Sequence, residues 1–137
     1  MGDAVNLASR LESLTKFYGV PILISETTRR LAPGFAAIEV DVIAVKGKTE
    51  AVRTHGLLGQ PDVAESEEFQ RLAATHDNML RAYRARDWRR AKTLAEACQA
   101  VRPDLGRLYA VYLERIAEFE HAPPGADWDG VYIAKEK

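Results

Sequence analysis

Apolar residues recur at helical spacing near the start of the chain, at Leu7, Leu11, Leu14 and Tyr18. This predicts a helix from Ala4 to about Tyr18, with Gly19 placed to end it in a left-handed conformation. Val20 to Ile24 is a short continuous apolar run that reads as a buried strand, with Pro21 near its start, where a missing N–H is tolerated. Ser25 offers an N-cap to a short helix through Leu31, stopped by Pro33-Gly34. From Phe35 to Val45, Ile38, Val40 and Val42 alternate with Glu39 and Asp41, which predicts a strand with one dry and one wet face. Lys46 to Glu50 is a turn, and Ala51 to Leu58 returns as the second strand of a hairpin.

Periodicity is lost between Gly59 and Glu68, where acid, Pro and Gly accumulate, and residues 59–68 read as a linker. Three helical stripes follow. The first is Phe69, Leu72, Ala73, His76, Leu80 and Tyr83; the second is Trp88, Ala91, Ala95, Cys98 and Val101; the third is Leu105, Leu108, Tyr109, Tyr112, Ile116 and Phe119. With short breaks between them they predict an antiparallel three-helix module over residues 69–120. Pro103 ends the second helix, and Asp104 is placed to cap the third. The run Ala82 to Ala91, with Pro103 twelve residues further on, resembles part of one tetratricopeptide unit, although Cys98 and Met79 depart from its usual small residues. A single helix pair with a third helix alongside fits better than a solenoid, because stacked repeats need neighbours to bury their faces. The tail, residues 121–137, holds Pro123-Pro124-Gly125 and Asp127-Trp128-Asp129-Gly130, and is expected to wrap back with Trp128 as its anchor.

The chain has 137 residues, 47% of them hydrophobic, with 19 Lys+Arg against 20 Asp+Glu. That supports a modest core and leaves no long-range field to gather nucleic acid or anionic membrane, so any phosphate recognition must be local. The basic run from Arg81 to Lys92 is interleaved with Tyr83 and Trp88, but both aromatics belong to the helical stripes, so it reads as a solvated face. Cys98 is the sole cysteine, which excludes an internal disulfide; its place on an apolar stripe makes it a buried hydrophobe. His55, His76 and His121 have no ligand partners at metal spacing, and His76 reads as a helix-face residue satisfied locally. Gly47-Lys48-Thr49 mimics the end of a P-loop, but Val42 stands where the first glycine is needed. No signal peptide and no run of 18 apolar residues is present, so this segment is expected to be cytoplasmic and without membrane contact, any anchor being left to a full-length protein.

Asn6 and Arg10 stand one helical turn apart at the start of the first predicted helix, so both polar heads can project from one face. The stretch Val5-Asn6-Leu7-Ala8-Ser9-Arg10 resembles the second half of a class III adenylate/guanylate cyclase catalytic domain. Tyr18-Gly19-Val20-Pro21-Ile22-Leu23-Ile24-Ser25, Val45-Lys46-Gly47-Lys48 and Val52-Arg53-Thr54-His55-Gly56-Leu57-Leu58 follow in that family's order. The resemblance covers about residues 1–58 and implies the C-terminal part of a ferredoxin-like α/β cyclase domain, followed by the small α-helical, tetratricopeptide-like module. The tail also resembles those found after some bacterial adenylate cyclase domains.

What the resemblance implies is conversion of ATP to 3′,5′-cyclic AMP and pyrophosphate, a signalling reaction. Asn6 would orient the ribose, Arg10 would stabilise the transition-state phosphate and Lys46 would meet the nucleotide phosphates. The family's Mg²⁺ or Mn²⁺ ions are held by two Asp residues on earlier strands, which these 137 residues do not contain, so no metal site is expected here. Class III sites form between two catalytic domains, in a homodimer or heterodimer, so this chain is expected to complete a partner's site and to be inactive alone. An open apolar sheet edge or face is expected too. The rival reading is a non-catalytic protein-interaction module built on the helical tail.

Overall fold

Gly19 ends the first described helix with φ +67, in the left-handed region anticipated from the sequence. The computed structural model of the chain describes residues 11–45 and 51–134. Helix α1 occupies residues 11–18 of that range. Strand β1 is Leu23–Ser25, and α2 is Glu26–Leu31, capped by the Ser25 hydroxyl, which accepts the Thr28 N–H. Strands β2, Ala36–Val45, and β3, Ala51–Gly59, are the arms of the expected hairpin; the turn between them lies outside the described residues. The linker stretch contains one helical turn, α3, Pro61–Ala64, with Pro at its first position, where no intrahelical N–H is required.

The three expected helices are α4, Glu67–Arg84, α5, Trp88–Val101, and α6, Gly106–His121. Ser66 caps α4 and Asp87 caps α5 through their side chains. Asp104 does not cap α6. It sits inside a 3₁₀ turn, Pro103–Leu105, and its carboxylate is held by Arg102 at 2.8 and 2.9 Å, while Leu105 holds the N-cap position of α6 and gives it no side-chain cap. In the second stripe Ala91, Ala95 and Cys98 are buried as read, but Val101, in the last turn of α5, is 55% exposed.

The sheet is mixed, in the order β1-β3-β2-β4, where β4 is Tyr132–Ala134. β1 and β2 both pair antiparallel with β3, and β4 joins β2 in parallel, opposite Ile43 to Val45. The tail therefore does wrap back, and it adds a strand. Trp128 anchors it within a ring cluster of Tyr83, Trp88 and Phe119, at centroid separations of 5.2 to 5.7 Å. Arg86 grips the same tail, donating to the Pro124 and Gly125 carbonyls and lying over the Trp128 ring. On the other side of the sheet order β1 pairs only with β3 among the described residues; the strand is shorter than read from the sequence, and Ile22, expected within it and buried, precedes it and is 49% exposed. The architecture is mixed α/β, and a single hydrophobic cluster runs from Tyr18, Val20 and Val40 through Leu72 and Leu80 to Leu108 and Ile116.

Candidate functional site

The alternation of β2 breaks at its centre. Ile38 and Val40 face the core as read, but the register with β3 shifts between Glu39 and Asp41, leaving Val40 as an added residue. Such a bulge turns the following side chains to the opposite face. Asp41, expected on the wet face, is 1% exposed, and Ile43 rather than Val42 continues the dry face. A carboxylate so placed is costly unless it is paired and hydrogen-bonded.

Its partners come from three elements. The Arg115 guanidinium, on α6, lies 2.8 Å from Asp41 Oδ2. The Tyr18 hydroxyl, in the last turn of α1, donates to the same oxygen, and Arg115 Nη2 reaches that hydroxyl at 3.4 Å. Oδ1 accepts the Val42 N–H at 2.9 Å. Tyr112, one turn before Arg115, donates its hydroxyl to the Val40 carbonyl, and its ring lies beneath the Arg115 guanidinium, 5.3 Å from the centroid. Burial alone would pull the Arg115 pKa down, but the Asp41 carboxylate, acting together with the Tyr112, Tyr18 and Tyr83 phenols, makes the net shift upward. Burial, reinforced by Asp41, pushes the Tyr18 and Tyr112 phenols up, so both remain protonated donors.

A second cluster flanks the bulge. Glu39 lies between Arg53 of β3 and Arg84 of α4; burial alone would raise its pKa, and the two arginines, Arg84 foremost, hold it below the ordinary value. The Arg84 side chain packs against Gly130, whose φ of +86 disfavours any side chain and where an added Cβ would lie 3.1 Å from Arg84 Cγ. His76 is 2% exposed and fully engaged: Nε2 donates to the Glu39 carbonyl, so Nδ1 accepts the Tyr109 hydroxyl at 3.0 Å. It is satisfied, as read, but by β2 and α6 rather than by its own helix.

Helix α6 also meets α1 directly. Arg107 Nε donates to the Phe17 carbonyl at 2.9 Å, and a Cβ on Gly19 would lie 2.8 Å from Arg107 Cβ. The residues read as site residues, Asn6, Arg10 and Lys46, lie outside the described residues. In the chain, Arg10 immediately precedes α1 and Lys46 immediately follows β2, and these are the two elements that α6 clamps. Sequence reasoning missed Asp41 and Arg115, since neither the bulge nor a partner 74 residues away leaves a periodic trace. Among the described residues, no group of three or more His, Cys, Asp and Glu could hold a metal ion, and the clustered carboxylates Asp41 and Glu39 are both neutralised by arginine. These side chains therefore do not fit a divalent ion. No described helix is long and apolar enough to cross a membrane.

No family model matches the chain and no solved structure matches it. Two curated proteins do. The chain is 30% identical over 120 residues to the terminal-differentiation specific adenylate cyclase of Dictyostelium discoideum, a match covering 84% of this chain and 6% of that protein. It is 48% identical over 56 residues to an adenylate cyclase of Anabaena cylindrica, covering 38% of this chain and 11% of the relative. The chain thus spans a small fraction of the relatives it matches. A match over 84% of the chain cannot be contained in residues 1–58, so the similarity runs through the sheet into the helices. Together the two matches support the adenylate cyclase family, at the level of a segment of such an enzyme.

Proposed function

We propose that the chain is the C-terminal part of a class III adenylate cyclase unit that converts ATP to cyclic AMP and pyrophosphate. The observation that carries this reading is the similarity to an adenylate cyclase across 84% of the chain, helices included. Cyclisation needs the ribose 3′-oxygen to attack the α-phosphorus as pyrophosphate departs, so charge developing on the phosphoryl oxygens must be met by pre-placed donors. Asn6 orients the ribose, Arg10 stabilises the transition-state α-phosphoryl group and Lys46 meets the phosphates. Magnesium or manganese is held by the carboxylates of a second catalytic domain, in a homodimer or heterodimer with a fuller chain.

Complementation tests this. The purified chain with ATP and Mn²⁺ is expected to make no cyclic AMP. Mixed with a class III cyclase domain that keeps its metal carboxylates but has its own Asn and Arg replaced by alanine, it is expected to restore turnover. Asn6→Ala or Arg10→Ala in this chain should then lower the rate at least about a hundredfold. Lys46→Ala should mainly weaken ATP binding. Cyclic AMP from the chain alone would overturn the assignment of the metals to a partner, and an inactive mixture would overturn the donor role.

A further inference from the structure

We propose that Arg115 of the helical tail is a positioning residue for cyclisation, acting through Asp41 and Tyr18 to hold the helix into which the Asn6/Arg10 segment runs. The inference rests on the functional reading above, and goes beyond it by giving the tail a part in the reaction. Helix α6 reaches α1 at two separated points. Near its start, Arg107 donates to the Phe17 carbonyl; two turns later, Arg115 and Asp41 hold the Tyr18 hydroxyl. Two contacts from one helix restrain both the position of the end of α1 and its rotation about its own axis. Asp41 couples the same device to β2, the strand that leads to Lys46.

The chemistry of the cluster favours positioning over simple cohesion. A buried ion pair contributes little net stability compared with apolar residues of the same volume, yet loss of one partner leaves an uncompensated charge, so the pair enforces one arrangement. Its hydrogen bonds are directional: one Asp41 oxygen takes both Arg115 and the Tyr18 hydroxyl, and the other is committed to the backbone of β2. A catalytic asparagine and arginine displaced by about 1 Å forfeit up to roughly a hundredfold in rate without leaving the site.

The test uses the complementing mixture together with hydrogen–deuterium exchange of the full chain. Tyr18→Phe removes the hydroxyl and keeps the ring in the core, so it folds where Arg115→Ala is at risk of not folding. Tyr109→Phe, which removes a buried α6 hydroxyl facing α4, is the control for a purely structural loss. Tyr18→Phe and Arg115→Ala are expected to speed exchange in residues 11–18 and to lower kcat roughly ten- to a hundredfold with KM for ATP within about twofold. Arg115→Lys, which keeps the charge, should recover part of the rate. Tyr109→Phe should leave kcat and exchange at 11–18 unchanged. Unaltered kcat in Tyr18→Phe, or an equal loss in Tyr109→Phe, would overturn the inference while the wild-type mixture still turned over. A wild-type mixture without activity would overturn the functional reading itself, and this inference with it.

Discussion

Burial and two hydrogen-bond partners, one on β2 and one on α6, fix the protonation of His76. The carbonyl of Glu39 can only accept, so Nε2 carries the proton and Nδ1 is an acceptor. Burial outweighs the raising influence of the Glu39 carbonyl, and the pKa of His76 is lowered from its ordinary 6.5. Because the folded state binds the proton more weakly than the unfolded one, this histidine's contribution is fully present above about pH 6.5 and is lost as pH falls toward the folded value. His55 shifts the same way, also through burial. Urea midpoints are therefore expected to fall between about pH 7.5 and about pH 5.5, and His76→Gln, which can still donate to one partner and accept from the other, should flatten that slope without removing it. An unchanged slope in His76→Gln would place the titration elsewhere.

Among elements, the junction of α1 with α6 is the most sensitive to change. Gly19 combines a positive φ with a close approach to Arg107, so Gly19→Ala is expected to cost about 1–2 kcal/mol in urea unfolding, with an unchanged far-ultraviolet spectrum. Replacement of a surface glycine without positive φ, Gly125→Ala, is the comparison, and equal losses would argue against the close-approach account. These elements were largely legible in the sequence: period-3.6 stripes marked α4, α5 and α6, alternation marked the hairpin, and Gly19 marked the end of α1. What stayed hidden was the phase change at Val40, because an inserted residue in a strand alters no composition or turn signal. For the same reason the Asp41 cluster was invisible. Its members lie 23 and 74 residues from Asp41, and the apolar stripes accounted for Tyr18 and Tyr112 without any polar task. Val101 and Asp104 were misplaced because the chain turns at Pro103 two residues after an exposed helix end, and Arg102 took the carboxylate that a cap would have used.

At the scale of the molecule, the sheet and the three long helices share a core, and the polar contacts His76 to Glu39, Tyr112 to Val40 and Arg115 to Asp41 cross between them. Cooperative unfolding follows from a shared core. Native-state hydrogen exchange is expected to give the most protected amides of β2 and β3 the same opening free energy as those of α4 and α6, within about 1 kcal/mol. Two separate values would show that residues 69–137 form a unit of their own. The ring cluster around Trp128 carries one last consequence. Both tryptophans of the chain, Trp88 and Trp128, lie in it, their rings 5.7 Å apart, and none stands in the sheet half. Intrinsic tryptophan emission therefore reads the seating of the tail together with the packing of α4, α5 and α6 beneath it, so the protein comes with a built-in optical gauge of its helical side.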